Sequence, residues 1–243
     1  MLFYASTFSL LAAWACPQMC LAAETAESIV RKADDARSPQ EDFSATVKVV
    51  DAQKADKKES SFRVFSKGNH FALVNQTAPD RQVGRKLLMH DHNLWLFNPN
   101  IGRPTRISFE QKLTGEVANG DLMRTNFAED YTPTLKGEES IEGVQTYHLT
   151  LEAKSKDVTY KSIDYWVTKD KLYPHKALFH ALSGKGLKTA LFSEFKPVLG
   201  KSRTTKVVIT DAIETGRTST IQYTSFKKET LSESFFNKDH LEQ

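Results

Sequence analysis

Hydrophobic and polar residues alternate with a period of two over most of the chain. From Phe43 to Val49 every second residue is apolar, and the residues between them are Ser, Thr and Lys, which is typical of a strand with one buried face. Similar segments follow, separated by turn residues such as Gly68-Asn69 and Pro79-Asp80. The further predicted strands are 60–66, 71–76, 82–90, 93–97, 105–109, 144–151, 159–168, 176–182, 187–195, 206–213 and 218–226. About a dozen strands with short connections predict an antiparallel meander rather than βαβ units.

Helical patterns are few. Apolar residues recur at helical spacing over 27–36, and Ser38-Pro39 ends that segment. Residues 110–131 break the alternation, and Gly115 and scattered apolar positions predict one or two short helices laid over the sheet. The final apolar segment, 231–236, predicts a short turn or helix. The expected fold class is therefore mainly β with few helices.

The first 23 residues have the composition of a secretory signal peptide. They contain no Lys, Arg, Asp or Glu and carry an apolar run over 8–15. The small residues Ala22 and Ala23 precede the charged segment 24–28. The apolar run is shorter than the roughly 20 residues that a membrane span needs. We predict a cleavable signal peptide over 1–23, a periplasmic location, and a single domain over 24–243.

Composition excludes several kinds of chemistry. Both cysteines, Cys16 and Cys20, lie in the predicted signal peptide, so the mature chain would have no thiol for catalysis or a disulfide. The net charge of +3 gives no reason to expect nucleic-acid binding. His90 and His92 flank a predicted turn without a third ligand at motif spacing, so no metal site is expected. Serine-hydrolase, zinc-protease and phosphate-loop motifs do not occur, and we predict neither a cofactor nor enzyme activity.

A distinctive sequence runs from residue 94 to residue 131. It contains Leu94-Trp-Leu-Phe-Asn-Pro-Asn-Ile-Gly-Arg-Pro-Thr-Arg-Ile-Ser108, Gln111-Lys-Leu-Thr-Gly115, Gly120-Asp-Leu122 and Asp130-Tyr131. This sequence resembles outer-membrane lipoprotein-sorting proteins of the LolA-like superfamily, in which a W-x-[YF]-x-P strand precedes basic residues, a helix with Gln and Gly, and an acidic D-[LM] segment leading to Tyr. The resemblance extends over most of the mature chain, and 94–131 is its most specific part.

The resemblance implies an incomplete antiparallel β-barrel of LolA/LolB type, wrapped around short helices. An apolar cavity would shelter the acyl chains of a lipid or lipoprotein in the aqueous periplasm. This branch of the superfamily resembles companions of inner-membrane exporters of the RND or MMPL type. Where the family has a Gly-Ser-Asp sequence, this chain has Gly115-Glu116-Val117. No binding residue is therefore transferred from the family at these positions.

A hydrocarbon chain offers no hydrogen-bonding group, so its binding requires apolar walls, at about 25 cal/mol per Å² removed from water. The candidates for a lipid-binding cavity are the apolar strand residues Phe43, Val47, Phe62, Val64, Phe71, Leu73, Trp95, Phe97, Tyr147, Leu149 and Phe179. Leu122, Met123 and Phe127 of the middle segment are candidates for a lid. Simple core packing of these aromatics and a fixed helix plugging the barrel are the alternative interpretations.

The sequence therefore predicts a periplasmic carrier that moves a lipid or lipoprotein acyl chain between an inner-membrane exporter and the outer membrane, and we expect a monomer. A periplasmic sensor of the same fold, which binds a lipid or peptide and signals to a membrane partner, is the alternative. An envelope hydrolase on a β-scaffold is a third hypothesis, for which the sequence offers no motif.

Overall fold

Fifteen strands and three α-helices make up the regular structure of the described residues. The structure, a computed structural model, describes residues 24–53, 56–124, 126–181, 183–214 and 216–242, and the predicted signal peptide lies outside them. The helices are α1 (Ala26–Arg37), α2 (Asn119–Met123) and α3 (Phe127–Asp130). The first eight strands are β1 (Phe43–Gln53), β2 (Asp56–Lys67), β3 (Phe71–Ala78), β4 (Lys86–His90), β5 (Asn93–Phe97), β6 (Thr105–Ile107), β7 (Lys112–Thr114) and β8 (Val117–Ala118). The others are β9 (Tyr131–Ile141), β10 (Val144–Ala153), β11 (Ser162–Thr168), β12 (Pro174–His180), β13 (Gly186–Val198), β14 (Lys201–Asp211) and β15 (Arg217–Lys228). Short 3-10 helices occupy Asp80–Gln82, Glu233–Phe236 and Lys238–His240.

Thirteen of these strands form one open antiparallel sheet. Its order is β6-β5-β4-β3-β2-β1-β15-β14-β13-β12-β11-β10-β9, so neighbours in the sheet are neighbours along the chain except where β1 meets β15. Strands β6 and β9 are the two edges and do not pair with each other. The curved sheet is therefore an incomplete barrel, and the predicted fold class is confirmed. Strands β7 and β8 form a separate hairpin between the two halves of the sheet.

The register defines an inner face of the sheet, on which α1 packs. Val47 of β1 lies opposite Phe62 of β2 and Tyr223 of β15, and residues directly opposite in a ladder share a face. Helix α1 begins after Thr25, whose side-chain oxygen accepts a hydrogen bond from the Ser28 amide at 3.2 Å. Its fully buried residues Ile29, Val30 and Ala33 join the core on this inner face. Most of the apolar core thus lies between α1, the middle segment and the sheet.

The middle segment contains two glycines that have no room for a side chain, one against the loop between β10 and β11 and one against β15. A Cβ on Gly120 would be 1.9 Å from the hydroxyl oxygen of Thr159. Gly115 has a φ of +53°, and a Cβ there would be 2.4 Å from the hydroxyl oxygen of Ser219. Only glycine meets both the conformational and the steric requirement at residue 115. These two close approaches explain the glycines that interrupt the sequence pattern.

The outer face of β3, β4 and β5 is covered by the C-terminal segment. Phe236 is buried and its ring lies 5.5 Å from that of Phe71. The covered cluster consists of Leu88, Phe97, Phe236 and Leu241, with Phe71, Leu73, Trp95 and Leu231 packed around it. The C-terminal residues therefore form a second, smaller core on the side of the sheet opposite α1.

This arrangement corrects the predicted face of four residues. Phe71, Leu73, Trp95 and Phe97 were expected to line the inner cavity, but they lie on the outer face. Leu73 pairs with Phe65, whereas the inner-facing Val64 pairs with Val74. Alternation identifies which residues share a face, but a strand that is apolar on both faces does not reveal which one points inward.

Most predicted elements are present, and the main differences are at β9, in the predicted strand 82–90 and in the middle segment, where the β7–β8 hairpin was not predicted. Strand β9 was not predicted, because its sequence includes Pro133, Gly137 and several charged residues, which are typical of an exposed edge strand. The predicted strand 82–90 is shorter, since Asp80–Gln82 is a 3-10 helix and β4 begins at Lys86. The predicted short helices of the middle segment are confirmed as α2 and α3.

Replacing Phe236 by alanine should destabilise the protein strongly, because the ring is only 2% exposed in the outer cluster. We expect the free energy of unfolding to fall by about 3–5 kcal/mol, as for other buried aromatic side chains. The matched control is Phe235→Ala, since Phe235 is 37% exposed and should lose clearly less. Urea denaturation measures both variants, and equal losses would contradict the assigned role of Phe236.

Candidate functional site

Two cavities lie between the inner face and the segments that cover it. The first, which we name the α3 cavity, has a volume of about 610 Å³ that includes space open to solvent. The side chains that form its aromatic and cationic wall are Arg37, Phe127, Tyr160, Phe179, Phe192 and Tyr223. The second, the hairpin cavity, has a volume of about 560 Å³ that also includes open space, and its apolar wall consists of Phe62, Val74, Leu87, Leu96, Ile107 and Leu113.

Aromatic contacts centred on Phe127 close the α3 cavity. Its ring meets those of Tyr131 and Tyr165 edge to face, at centroid distances of 5.6 and 5.5 Å. The guanidinium carbon of Arg37 lies 3.6 Å from the centroid of the Phe127 ring, which is a cation–π contact. Tyr160 packs on Phe179, with ring centroids 4.3 Å apart and the rings tilted by 30°. Helix α3 therefore lies over the cavity with its phenylalanine inserted among the wall residues.

Helix α3 is fastened to α1 by a buried carboxylate. Asp34 accepts a hydrogen bond from the amide of Ala128 at 2.7 Å, and Arg37 donates to it at 3.3 Å. Burial raises the pKa of Asp34 to about 6, although Arg37 and the amide of Ala128 act in the opposite direction. The side chain is therefore ionised at neutral pH while it is almost fully removed from water.

The other charges around the α3 cavity are paired as well. Arg124 forms a buried ion pair with Asp130. Lys188 donates to Asp121 at 2.6 Å, and the hydroxyl of Tyr160 donates to the other oxygen of Asp121 at 2.7 Å. Burial raises the pKa of Tyr160 well above its ordinary value, so this phenol is a neutral donor. The charges bordering this cavity therefore compensate one another locally.

The hairpin cavity is apolar on the sheet side and polar at its rim. Leu96 and Ile107 are half-buried, and Phe62, Val74 and Leu87 are buried. The rim is formed by Gln76, Arg85, Gln111, Lys112 and Asn119. The β7–β8 hairpin contributes Leu113 to the wall and Lys112 to the rim. This combination of an apolar wall and a few polar groups is typical of sites that bind amphiphilic molecules.

Seven of the predicted cavity residues face inward, and they are divided among several environments. Phe62 lines the hairpin cavity and Phe179 the α3 cavity. Val47 and Leu149 are fully buried in the core. A smaller cavity of about 440 Å³ is lined by Phe43 and Val64 together with Leu122 and Met123, and Tyr147 packs at the margin of the core. Phe127 is the one predicted lid residue that lines the α3 cavity.

The charged and polar residues of both cavities were not identified from the sequence. Arg37 occupies the last turn of α1 and Arg85 follows a short 3-10 helix, and neither belongs to a recognisable motif. Their roles depend on contacts between segments that are far apart in the chain. Leu96 and Ile107 are half-buried and lie on the inner face of β5 and β6, where alternation is a local signal. Because β5 is apolar on both faces, that signal did not show which of its residues point inward.

Within residues 24–242, excluding those not described, no group of three or more His, Cys, Asp or Glu side chains is arranged to hold a metal ion. Of the helices that the structure describes, none combines the length and the apolar character that a membrane crossing requires.

Comparison with known proteins gives one family match and several similar structures. A family model described as "Uncharacterized protein" matches residues 68–243, and no curated protein matches the chain. A putative outer membrane lipoprotein-sorting protein domain from Vibrio parahaemolyticus is 22% identical, with 90% of this chain and 98% of that chain covered and a TM-score of 0.77. A DUF1329 family protein from Desulfovibrio piger is also 22% identical, with 89% and 97% covered and a TM-score of 0.76. These two structures show that the fold is shared.

A further structure carries the family assignment. The LolA superfamily protein NE2245 from Nitrosomonas europaea is 38% identical to this chain, and the two superpose with a TM-score of 0.85. The match covers 90% of this chain and 100% of that chain. Because this identity extends over nearly the whole of both proteins, the chain belongs to the LolA superfamily.

Proposed function

We propose that this protein is a periplasmic carrier that binds the acyl chain of a lipid or lipoprotein on the inner face of its sheet. It would move this cargo between an inner-membrane exporter and the outer membrane. The observation that carries the proposal is the pair of cavities, both open to solvent, between the apolar inner face and its covering segments. Membership of the LolA superfamily and the predicted signal peptide support the cargo class and the compartment.

The hairpin cavity is the part of the inner face that can accept hydrocarbon without a large rearrangement. Its wall combines aliphatic side chains with the ring of Phe62, and it reaches the edge strand β6 at Ile107. Each methylene group transferred from water to such a wall contributes about 0.8 kcal/mol. A chain of moderate length would thus bind with useful affinity through burial alone.

Helix α3 acts as a lid in this proposal. Phe127 fills part of the α3 cavity, and the contacts of Asp34 and Arg37 hold it there. Moving α3 away would join the space under Phe127 to the rest of the inner face. The affinity for a long chain would then include the free energy of breaking these contacts.

The first test measures affinity as a function of chain length. Neutral monoacyl glycerols of increasing length, added below their critical micelle concentrations to delipidated protein, should displace a fluorescent fatty-acid probe. Affinity should rise about fourfold per methylene, which corresponds to 0.8 kcal/mol, until the cavity is filled.

Ile107→Trp should weaken binding at least tenfold by filling the hairpin cavity. Arg106→Trp is the matched control, because Arg106 pairs with the outer-facing Trp95. Absence of binding at every length would refute the proposed function.

Transport is tested separately from binding. Protein added between donor vesicles with a labelled monoacyl lipid and acceptor vesicles should accelerate transfer, in proportion to its concentration, because the bound chain is shielded from water. Ile107→Trp should reduce the rate and Arg106→Trp should not. Protein that binds lipid without accelerating transfer would contradict the carrier and favour the sensor.

The ionisation of Asp34 predicts a pH dependence of stability. Its carboxyl has a pKa of about 6 in the folded protein against an ordinary value of 3.8, so its ionisation favours the unfolded chain. This cost is absent below pH 3.8, grows as the pH rises towards 6, and is complete above 6 at about 3 kcal/mol. Asp34→Asn removes the titration and keeps an acceptor for Ala128. The unfolding free energy of wild type minus variant should therefore increase by roughly 2 kcal/mol from pH 7 to pH 4, because part of the cost remains at pH 4. Urea denaturation measures the difference, and a constant difference would contradict the assignment.

A further inference from the structure

The charges at the rim of the hairpin cavity are of one sign. The described residues that line this cavity include the cations Arg85 and Lys112 and no carboxylate. The α3 cavity differs, because its lining contains Arg37 and Arg124 together with Asp121 and Asp130. Both cavities have apolar walls, so the charge of their lining is the property that distinguishes the ligands each could bind.

The cation that remains available in the hairpin cavity is Arg85. Lys112 forms an ion pair with the buried Glu116 at 2.9 Å, and Arg217 approaches the other oxygen of Glu116 at 3.3 Å. The side chain of Arg85 is half-buried, yet within the described part of the chain its guanidinium has neither an ion pair nor a hydrogen bond. A guanidinium held partly out of water without a counter-ion is suited to binding a carboxylate or phosphate with two parallel hydrogen bonds.

The backbone fixes the place of Arg85. Its amide donates to the carbonyl of Gln82 at 3.3 Å, and its carbonyl accepts from the amide of Gln76 at 2.9 Å. The side chain of Gln76 donates to that of Gln82 at 2.6 Å, which ties the same turn together. The neighbouring Lys86 belongs to the other face, where its amino group donates to the carbonyl of Leu241. Arg85 is thus the cation that this turn presents to the cavity.

We propose that the hairpin cavity is a binding site for an anionic amphiphile, with its hydrocarbon chain against Phe62, Leu96 and Ile107 and its carboxylate or phosphate head at Arg85. The inference rests on the proposed function, because it requires that the inner face takes up hydrocarbon. It adds that the cargo has a negatively charged head and that this head is recognised at one residue.

The test compares heads on a constant chain. Dodecanoate, dodecyl phosphate, neutral dodecanol and dodecyltrimethylammonium are titrated into delipidated protein by calorimetry, each below its critical micelle concentration, with acetate and inorganic phosphate as heads without a chain. Both anionic amphiphiles should bind about tenfold more tightly than dodecanol, as expected for one charge-assisted contact. The cationic amphiphile should bind more weakly than dodecanol, and the free anions should not bind measurably.

Substitutions assign the preference to Arg85. Arg85→Gln should abolish the tenfold advantage of the anionic amphiphiles over dodecanol. A circular dichroism spectrum and a urea denaturation curve like those of the wild type show that the variant is folded. Arg85→Lys should keep most of the advantage for the phosphate. Arg81→Gln is the matched control, since Arg81 is an exposed cation of the same turn that does not line the cavity, and it should behave like the wild type.

The outcomes separate the two proposals. Equal affinity for anionic and neutral amphiphiles, or an anionic preference that survives in Arg85→Gln, overturns the role of Arg85 and leaves hydrocarbon binding intact. Failure of all four amphiphiles to bind overturns the proposed function and this inference together. Preference for one anionic head over the other identifies the head as a carboxylate or as a phosphate.

Discussion

A curved sheet that does not close must have its apolar inner face covered, and the rest of this structure follows from how that is done. A small closed barrel can fill its interior with its own side chains, but here β6 and β9 remain edges. Helix α1 covers part of the face with Ile29, Val30 and Ala33. The middle segment covers another part, and the remaining space is left as cavities. Incomplete coverage is thus the structural origin of the candidate site.

Electrostatic contacts decide where the covering segments sit. The sequence from Gly115 to Asp130 buries Val117, Leu122, Met123 and Phe127 in the core, and ion pairs fasten it to its surroundings in one position. Lys188 binds Asp121 and Arg217 approaches Glu116, while Asp34 holds α3 to α1. Buried pairs contribute little net stability, since desolvation offsets their attraction, but breaking one is costly. They therefore define one closed arrangement of the segment, which a ligand must oppose if α3 is to move.

The sequence revealed the strands better than it revealed the site, and the reason is physical. Alternation is a local property, and β5 was therefore predicted at its observed bounds. The edge strand β9 was not predicted, because edge strands carry polar residues and interruptions rather than a buried alternating pattern. The predicted orientation of Trp95 was wrong, because β5 is apolar on both faces. Trp95 lies in the outer cluster with Phe236, which is distant in the sequence. Arg37 and Arg85 could not be identified as site residues for the same reason, since the cavity walls around them come from other parts of the chain.

The two cavities also illustrate how one apolar surface can acquire two specificities. In both, hydrocarbon binding depends on area, which does not distinguish one cargo from another. Discrimination has to come from the few polar groups at the margins, because an unmatched charge there costs more than a missing methylene group. Around the α3 cavity each cation already has an anion, so a charged head would have to displace an existing partner. At Arg85 the partner is missing from the described residues, and the ligand is the component that can supply it.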